Sequence, residues 1–308
     1  MSLSEQDLTL HCQRILEQSR IRNKLVLLCE GSIEHFKAQR FSPHSYKQLD
    51  QLPDCNFYKA CIPQDYSPNF FQCFPCGSID SVLRAYFKLK ELHDQNPKNS
   101  WLNPDKLFVL VDLDIQIRKI DNYLFSDTEE IFYDLYQENK LNIENSANHR
   151  IFVTGLIHKE AYFFIPELQE TFDNWIHPPI FENKPLNLQI IYQKIAERLG
   201  EDKDLENSFQ RVIKRITYCR LLDTNSINTL QNTILNNLGN SQVINALLTI
   251  AKSKPYWEKH IQFSTYGSNS EKIFRDQLLL EIARFYKHQS EESALHISAL
   301  IRTLHQHS

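Results

Sequence analysis

A chain of 308 residues with 42% hydrophobic and 23% charged side chains has the composition of an ordinary globular protein and a length natural for two domains. A formal net charge of -4 argues against a histone-like or tail-type nucleic-acid binder, while leaving room for a local basic face. Seven scattered cysteines point to a reducing cytosol, hence a cytoplasmic protein, and no apolar run reaches the roughly 18 residues of a membrane span.

Residues 4–20 carry apolar side chains at helical spacing and read as an N-terminal helix, not a signal peptide. Lys24-Leu-Val-Leu-Leu-Cys29 is a continuous apolar run stopped by Glu30-Gly31, as expected of a strand buried on both faces of a parallel sheet. A helix over 32–40, capped by Ser32, follows; 41–69 contains four prolines and reads as loop. Asn69-Phe-Phe-Gln-Cys-Phe74 predicts a second strand, stopped by Pro75-Cys76-Gly77, and Ser78 is placed to cap a helix over 79–94. Lys106-Leu-Phe-Val-Leu-Val111 is the clearest strand, and Asp112-Leu-Asp114 follows it. A helix over 125–139, a strand at Arg150-Ile-Phe-Val-Thr154 and an extended segment over 158–165 complete the first half. This alternation predicts an open α/β sheet. From residue 186 onward only helical periodicity is found, over 188–199, 205–222, 226–238, 242–252, 271–286 and 291–305. The expected organisation is an N-terminal helix (1–21), an α/β domain (22–172), a proline-rich linker (173–186) and an all-α domain (187–308).

Three carboxylates stand at the tips of two buried strands: Glu30 after the first, Asp112 and Asp114 after the later one. In an extended segment, residues i and i+2 point the same way, so the two aspartates are expected to converge. Such oxygen donors suit Mg²⁺ or Mn²⁺, and a third carboxylate across the cleft holds a second ion or moves a proton. Asp-x-Asp alone is weak. Asp202-Lys-Asp204 has the same spacing in a polar region where a helix starts, and no function is assigned to it.

A strand ending in Glu-Gly, then a strand ending in Asp-x-Asp, resembles the TOPRIM domain of topoisomerases, bacterial primases and OLD-type and stand-alone nucleases. The matching segments are Leu25-Val-Leu-Leu-Cys-Glu-Gly31 and Leu107-Phe-Val-Leu-Val-Asp-Leu-Asp114, within residues 22–168. The resemblance implies an open, mostly parallel sheet with flanking helices. It also implies a metal-dependent nuclease in which Glu30 is the acid or base and Asp112 and Asp114, with Glu30, hold Mg²⁺. Cys76-Gly77-Ser78 resembles the small-residue turn of the defence-associated branch, which gives Gly31, Gly77 and Ser78 a phosphate-positioning role. His158-Lys-Glu-Ala-Tyr162 is similar to a later segment of that branch and makes Glu160 a fourth catalytic carboxylate. A nucleic-acid substrate, a role in phage defence and a separately encoded ATPase partner are further implications. The alternative is a TOPRIM-fold binding or regulatory protein without turnover.

Other features carry weaker expectations. Arg211, Lys214 and Arg215, at i, i+3 and i+4 of one helix, would share a basic face for nucleic-acid phosphate. Lys252, Lys254 and Lys259, interleaved with Tyr256 and Trp257, form a second basic candidate, the aromatics being more often core anchors. Cys55, Cys61, Cys73 and Cys76 raise zinc, against which stands their behaviour as small buried hydrophobes. His35 and His158 neighbour the acidic residues, and His305 and His307 read as solvated. No Walker-type loop and no G-x-G-x-x-G is present.

Overall fold

The structure, a computed structural model, describes residues 3–31, 52–176, 178–262, 268–289 and 296–308. The expected helix over 32–40, its Ser32 cap and His35 lie outside the described residues.

Strands β1 (Leu25–Cys29), β2 (Phe71–Pro75) and β3 (Leu107–Val111) are buried along their whole length. A two-residue hairpin, β4 (Tyr136–Gln137) and β5 (Lys140–Leu141), precedes β6 (Ile151–Val153). The four long strands form one parallel sheet in the order β2-β1-β3-β6. Continuous apolar runs are what such a sheet demands, because both faces of each strand are covered. β1 has β2 on one side and β3 on the other, so the winding direction reverses between β1 and β3. In open α/β sheets ligands bind at the carboxyl ends of strands at that reversal. The register pairs Cys29 with Leu110, which brings Glu30 beside Val111 and Asp112.

The longer helices of the first half among the described residues are α1 (Glu5–Leu16), α2 (Pro53–Ala60), α3 (Ile79–Gln95) and α4 (Thr128–Leu135), with short ones at Ile143–Ser146 and Gln169–Asn174. Helix α2 falls where loop was expected. Pro53 occupies its first turn, the position at which a missing N–H costs nothing. Helix α4 is shorter than the expected 125–139, since the chain turns into the β4–β5 hairpin through Glu138 and Asn139, both with positive φ. The segment 158–165, expected to be extended, is a 3₁₀ helix over Lys159–Phe164.

The second half is helical, as its periodicity predicts, with helices at Leu188–Glu197, Lys203–Val212, Ile227–Asn236, Ser241–Ile250, Ser268–Lys287 and His296–Gln306, and with one the periodicity does not indicate, Lys254–Lys259. The expected helix over 205–222 stops at Val212 and tightens into a 3₁₀ turn, Ile213–Ile216. Two-residue strands at Ile180–Phe181, Lys184–Pro185 and Ile261–Gln262 form a small antiparallel sheet, so the proline-rich stretch is paired rather than loose. The halves share one hydrophobic core that runs from Leu3 to Leu304. Tyr286 Oη donates to the Tyr162 carbonyl at 2.6 Å, and the Ile157 amide to the Leu248 carbonyl at 3.1 Å. No helix among the described residues is long and apolar enough to cross a membrane.

Candidate functional site

The strand ends deliver Glu30, Asp112 and Asp114 to one cleft of about 340 Å³, and Lys252 and Lys254 line its other side with His158. Each of the three carboxylates is oriented by a backbone amide. Glu30 Oε1 accepts from the Asp112 N–H at 2.7 Å, and Asp112 Oδ1 accepts from the Lys159 N–H at 2.9 Å. Asp114 Oδ1 accepts from the Ile115 N–H at 2.6 Å. Among the described residues, no hydrogen bond occupies the second oxygen of Glu30 or Asp112, while that of Asp114 faces Arg118. The route to this convergence differs from the expected one. β3 ends at Val111, and Asp114 sits in the left-handed region at φ 51°. Aspartate tolerates that conformation by bonding locally, as the contact to Ile115 illustrates. A turn, not strand alternation, therefore brings Asp114 to the cleft, where Arg118 Nη2 stands 3.8 Å from its Oδ2.

Burial raises the Glu30 carboxyl to about 7, against the pull of the Asp112 amide. The Asp112 carboxyl is pushed well above the usual range by burial and then by the charges of Glu30 and Glu160. Packed carboxylates of this kind are relieved by a bound cation, and the hard oxygen donors fit Mg²⁺ or Mn²⁺. Glu160 is buried, and its Oε2 has no hydrogen-bond partner among the described residues. Burial raises its carboxyl, but Lys159 and Lys254, at 3.9 and 3.8 Å from Oε1, outweigh that and lower it. The Lys159 ammonium itself pairs with Asp54.

Several expected roles fall elsewhere. The Gly31 amide donates to the Gly77 carbonyl and the Gly77 amide to the Gly31 carbonyl, at 3.1 and 3.0 Å, so neither N–H is available to a phosphate. Gly31 is needed for space: a Cβ there would lie 2.6 Å from Asp54 Oδ2 and 2.9 Å from Pro75 Cβ. Ser78 stands at the N-terminus of α3 without a capping bond from its side chain; its Oγ lies 3.5 Å from Ser81 Oγ.

The basic stripe does not form, because the helix ends at Val212. Arg215 is buried: its guanidinium meets Glu129 at 3.0 and 2.5 Å and donates to the Asp114 carbonyl at 2.8 Å. Arg211 Nη2 donates to the Ile115 carbonyl. Two of the three residues expected on nucleic acid thus brace the loop after β3, and only Lys214 is left exposed to solvent. The second basic candidate is divided instead: Lys252, Lys254 and Lys259 line the cleft, whereas Tyr256 and Trp257 are buried.

His158 Nε2 accepts the Lys254 amide at 3.2 Å, and burial holds its ring down at about 4, so it stays neutral. His305 stacks on Tyr66, and His307 lies against Phe108, so both are half-buried rather than solvated. Of the four cysteines considered for zinc, Cys55 and Cys73 meet Cys29, while Cys76 Sγ contacts His11 Nε2 at 3.5 Å and Cys61 joins neither group.

Compared with known proteins, the chain matches no family model, no curated protein and no solved structure. The site therefore rests on its own geometry. Sequence reading missed the lysines as cleft residues, because the acids they face there, Glu30, Asp112 and Asp114, are remote in the chain and leave no local pattern.

Proposed function

We propose that the protein is a divalent-metal-dependent nuclease of TOPRIM type that hydrolyses phosphodiester bonds of nucleic acid in the cytoplasm, in phage defence with a separately encoded ATPase. The observation that carries this reading is the meeting of Glu30, Asp112 and Asp114 with Lys252 and Lys254 in one cleft, at the reversal point of a parallel sheet. Asp112, Asp114 and Glu30 would hold the cation, whose chemistry there is to neutralise charge on the phosphate oxygens. Glu30, raised to about 7, is poised to take a proton from the attacking water or return one to the leaving oxygen. Lys252 and Lys254 oppose the carboxylates and anchor the phosphate backbone, as ammonium groups do in nucleic-acid sites. Glu160 keeps Lys254 charged and in place from behind.

The test is cleavage of tRNA, single-stranded DNA and duplex DNA with Mg²⁺ or Mn²⁺, with and without a partner ATPase. The reading expects cutting that Glu30→Ala and Asp112→Asn abolish. It fails if no substrate is cut under any of these conditions, or if both variants cut like the parent; tight binding without cutting would indicate a binding protein on the same fold.

A further inference from the structure

Beneath the cleft, cysteines from three different elements meet: Cys29 on β1, Cys73 on β2 and Cys55 on α2. Cys29 Sγ lies 3.4 Å from Cys73 Sγ and 3.7 Å from Cys55 Sγ, and all three sulfurs fall within 4.8 Å of one another. Among the described residues, no other group of three or more His, Cys, Asp or Glu donors converges so closely. We propose that Cys29, Cys55 and Cys73 form a trithiolate site for a thiophilic metal ion, Zn²⁺ or Cu(I), which pins β1, β2 and α2 together below the carboxylates.

The geometry suits this without rearrangement of the backbone. With metal–sulfur bonds of about 2.3 Å, sulfurs stand about 3.8 Å apart around a tetrahedral ion and about 4.0 Å apart around a trigonal one. The two contacts of Cys29 need to open by about 0.1–0.6 Å, and Cys55 and Cys73 already stand within 4.8 Å of each other. A disulfide between the two strands is disfavoured. The register sets Leu27 opposite Cys73, so Cys29 lies two residues further along. Strand spacing then puts the two Cα atoms about 8 Å apart, beyond disulfide reach.

Donor chemistry separates the two sites. Thiolates select soft ions, whereas the carboxylates above them select hard ones. The charge of Lys159 acts on Cys29 and eases deprotonation there, although its ammonium is shared with Asp54, the residue before Cys55. The three cysteines are at most 1% exposed, so the ion enters as the chain folds. Cys61, equally buried but outside the cluster, is a matched control.

The experiment refolds the full-length chain from denaturant with Zn²⁺, with Cu(I), or with Co²⁺ as a coloured probe, then counts the metal after desalting. The expected result is about one ion per chain, a sulfur-to-cobalt charge-transfer band, and X-ray absorption showing three sulfur neighbours at about 2.3 Å. Cys55→Ser and Cys73→Ser each lower occupancy at least about tenfold, while Cys61→Ser leaves it unchanged. Retention of no ion, a shell of oxygen and nitrogen only, or occupancy indifferent to Cys55→Ser and Cys73→Ser overturns the proposal. The absorption measurement uses the unmodified chain, so a variant that fails to fold does not leave the question open.

Discussion

Asp112-Leu-Asp114 and Asp202-Lys-Asp204 share one spacing and lead opposite lives. Asp202 caps the helix Lys203–Val212, accepting from the Asp204 and Leu205 amides at 3.0 and 3.4 Å. Asp202 and Asp204 both pair with Lys252 at the surface, at 3.1 and 2.5 Å, and hydrogen bonding to that lysine lowers Asp204. Asp112 is instead driven upward by burial and by neighbouring acids. A short motif carries no chemistry of its own; the element that delivers it decides whether its charge is compensated or left for a ligand. Lys252 links the two regions, since it holds the second pair and also lines the cleft of the first.

The largest expected difference between them is catalytic. Glu30→Gln and Asp112→Asn should each lower metal-dependent cleavage by about 10²–10⁴-fold, the range for removing a proton-transfer or charge-stabilising group. Asp204→Asn should leave turnover within about threefold, because its partner is an exposed lysine. Single-turnover rates at saturating metal measure both. Equal losses at the two sites would erase the contrast.

Stability should divide in the same way. The first pair is braced by Arg215, whose side chain is 0% exposed and bonded to Glu129 and the Asp114 carbonyl. Arg215→Ala leaves buried Glu129 with Arg211 alone, 3.5 Å away, and should cost about 3 kcal/mol in denaturant unfolding. Lys252→Ala removes an ammonium that is 37% exposed and should cost under about 1 kcal/mol. An Arg215 variant as stable as the parent would show that the loop after β3 holds its shape unaided.

How much of this was legible beforehand follows the range of the forces involved. β1, β2 and β3 are written in continuous apolar runs, and the acids at their tips follow from where those runs stop. The longer helices of the second half follow from periodicity. Helix α2 was hidden by the prolines around it and by Pro53, which starts it. The 3₁₀ turn at Ile213–Ile216 was hidden because an unbroken apolar spacing reads as one helix. Arg215 with Glu129, Lys159 with Asp54, and the meeting of Cys29, Cys55 and Cys73 depend on which distant elements pack together, and no local signal encodes that.

A pH series sharpens the electrostatic side of the contrast. Glu30 has a folded value of about 7 against an ordinary 4.5. Its contribution to stability is therefore full below about pH 4.5 and is lost as pH rises through about 7. His11, His158 and His296, each lowered to about 4 by burial, act the other way, losing their contribution as pH falls below 6.5. Subtracting the Glu30→Gln curve from the parent curve cancels the histidines and leaves Glu30 together with its effect on Asp112. The metal-free parent should lose about 3 kcal/mol relative to the variant between pH 4.5 and 7.5, most of the shift converted at about 1.36 kcal/mol per pH unit. Saturating Mg²⁺ should abolish that loss. A difference curve that stays flat would mean that Glu30 is solvated.

The smallest effect concerns Asp202, and there one side chain does two separable jobs. As a helix cap it accepts amide bonds, which asparagine does as well; as an anion it holds Lys252, which asparagine does not. Asp202→Ala should therefore lower stability by about 1 kcal/mol, while Asp202→Asn should change it by only a few tenths. Both variants release Lys252 in part, because Asp204 still holds it. If that tether sets where Lys252 stands in the cleft, both should raise the KM for nucleic acid by the same factor of about two to three with kcat unchanged. A KM that follows stability instead, moving in the alanine variant alone, would place Lys252 under the control of the cap rather than of the charge.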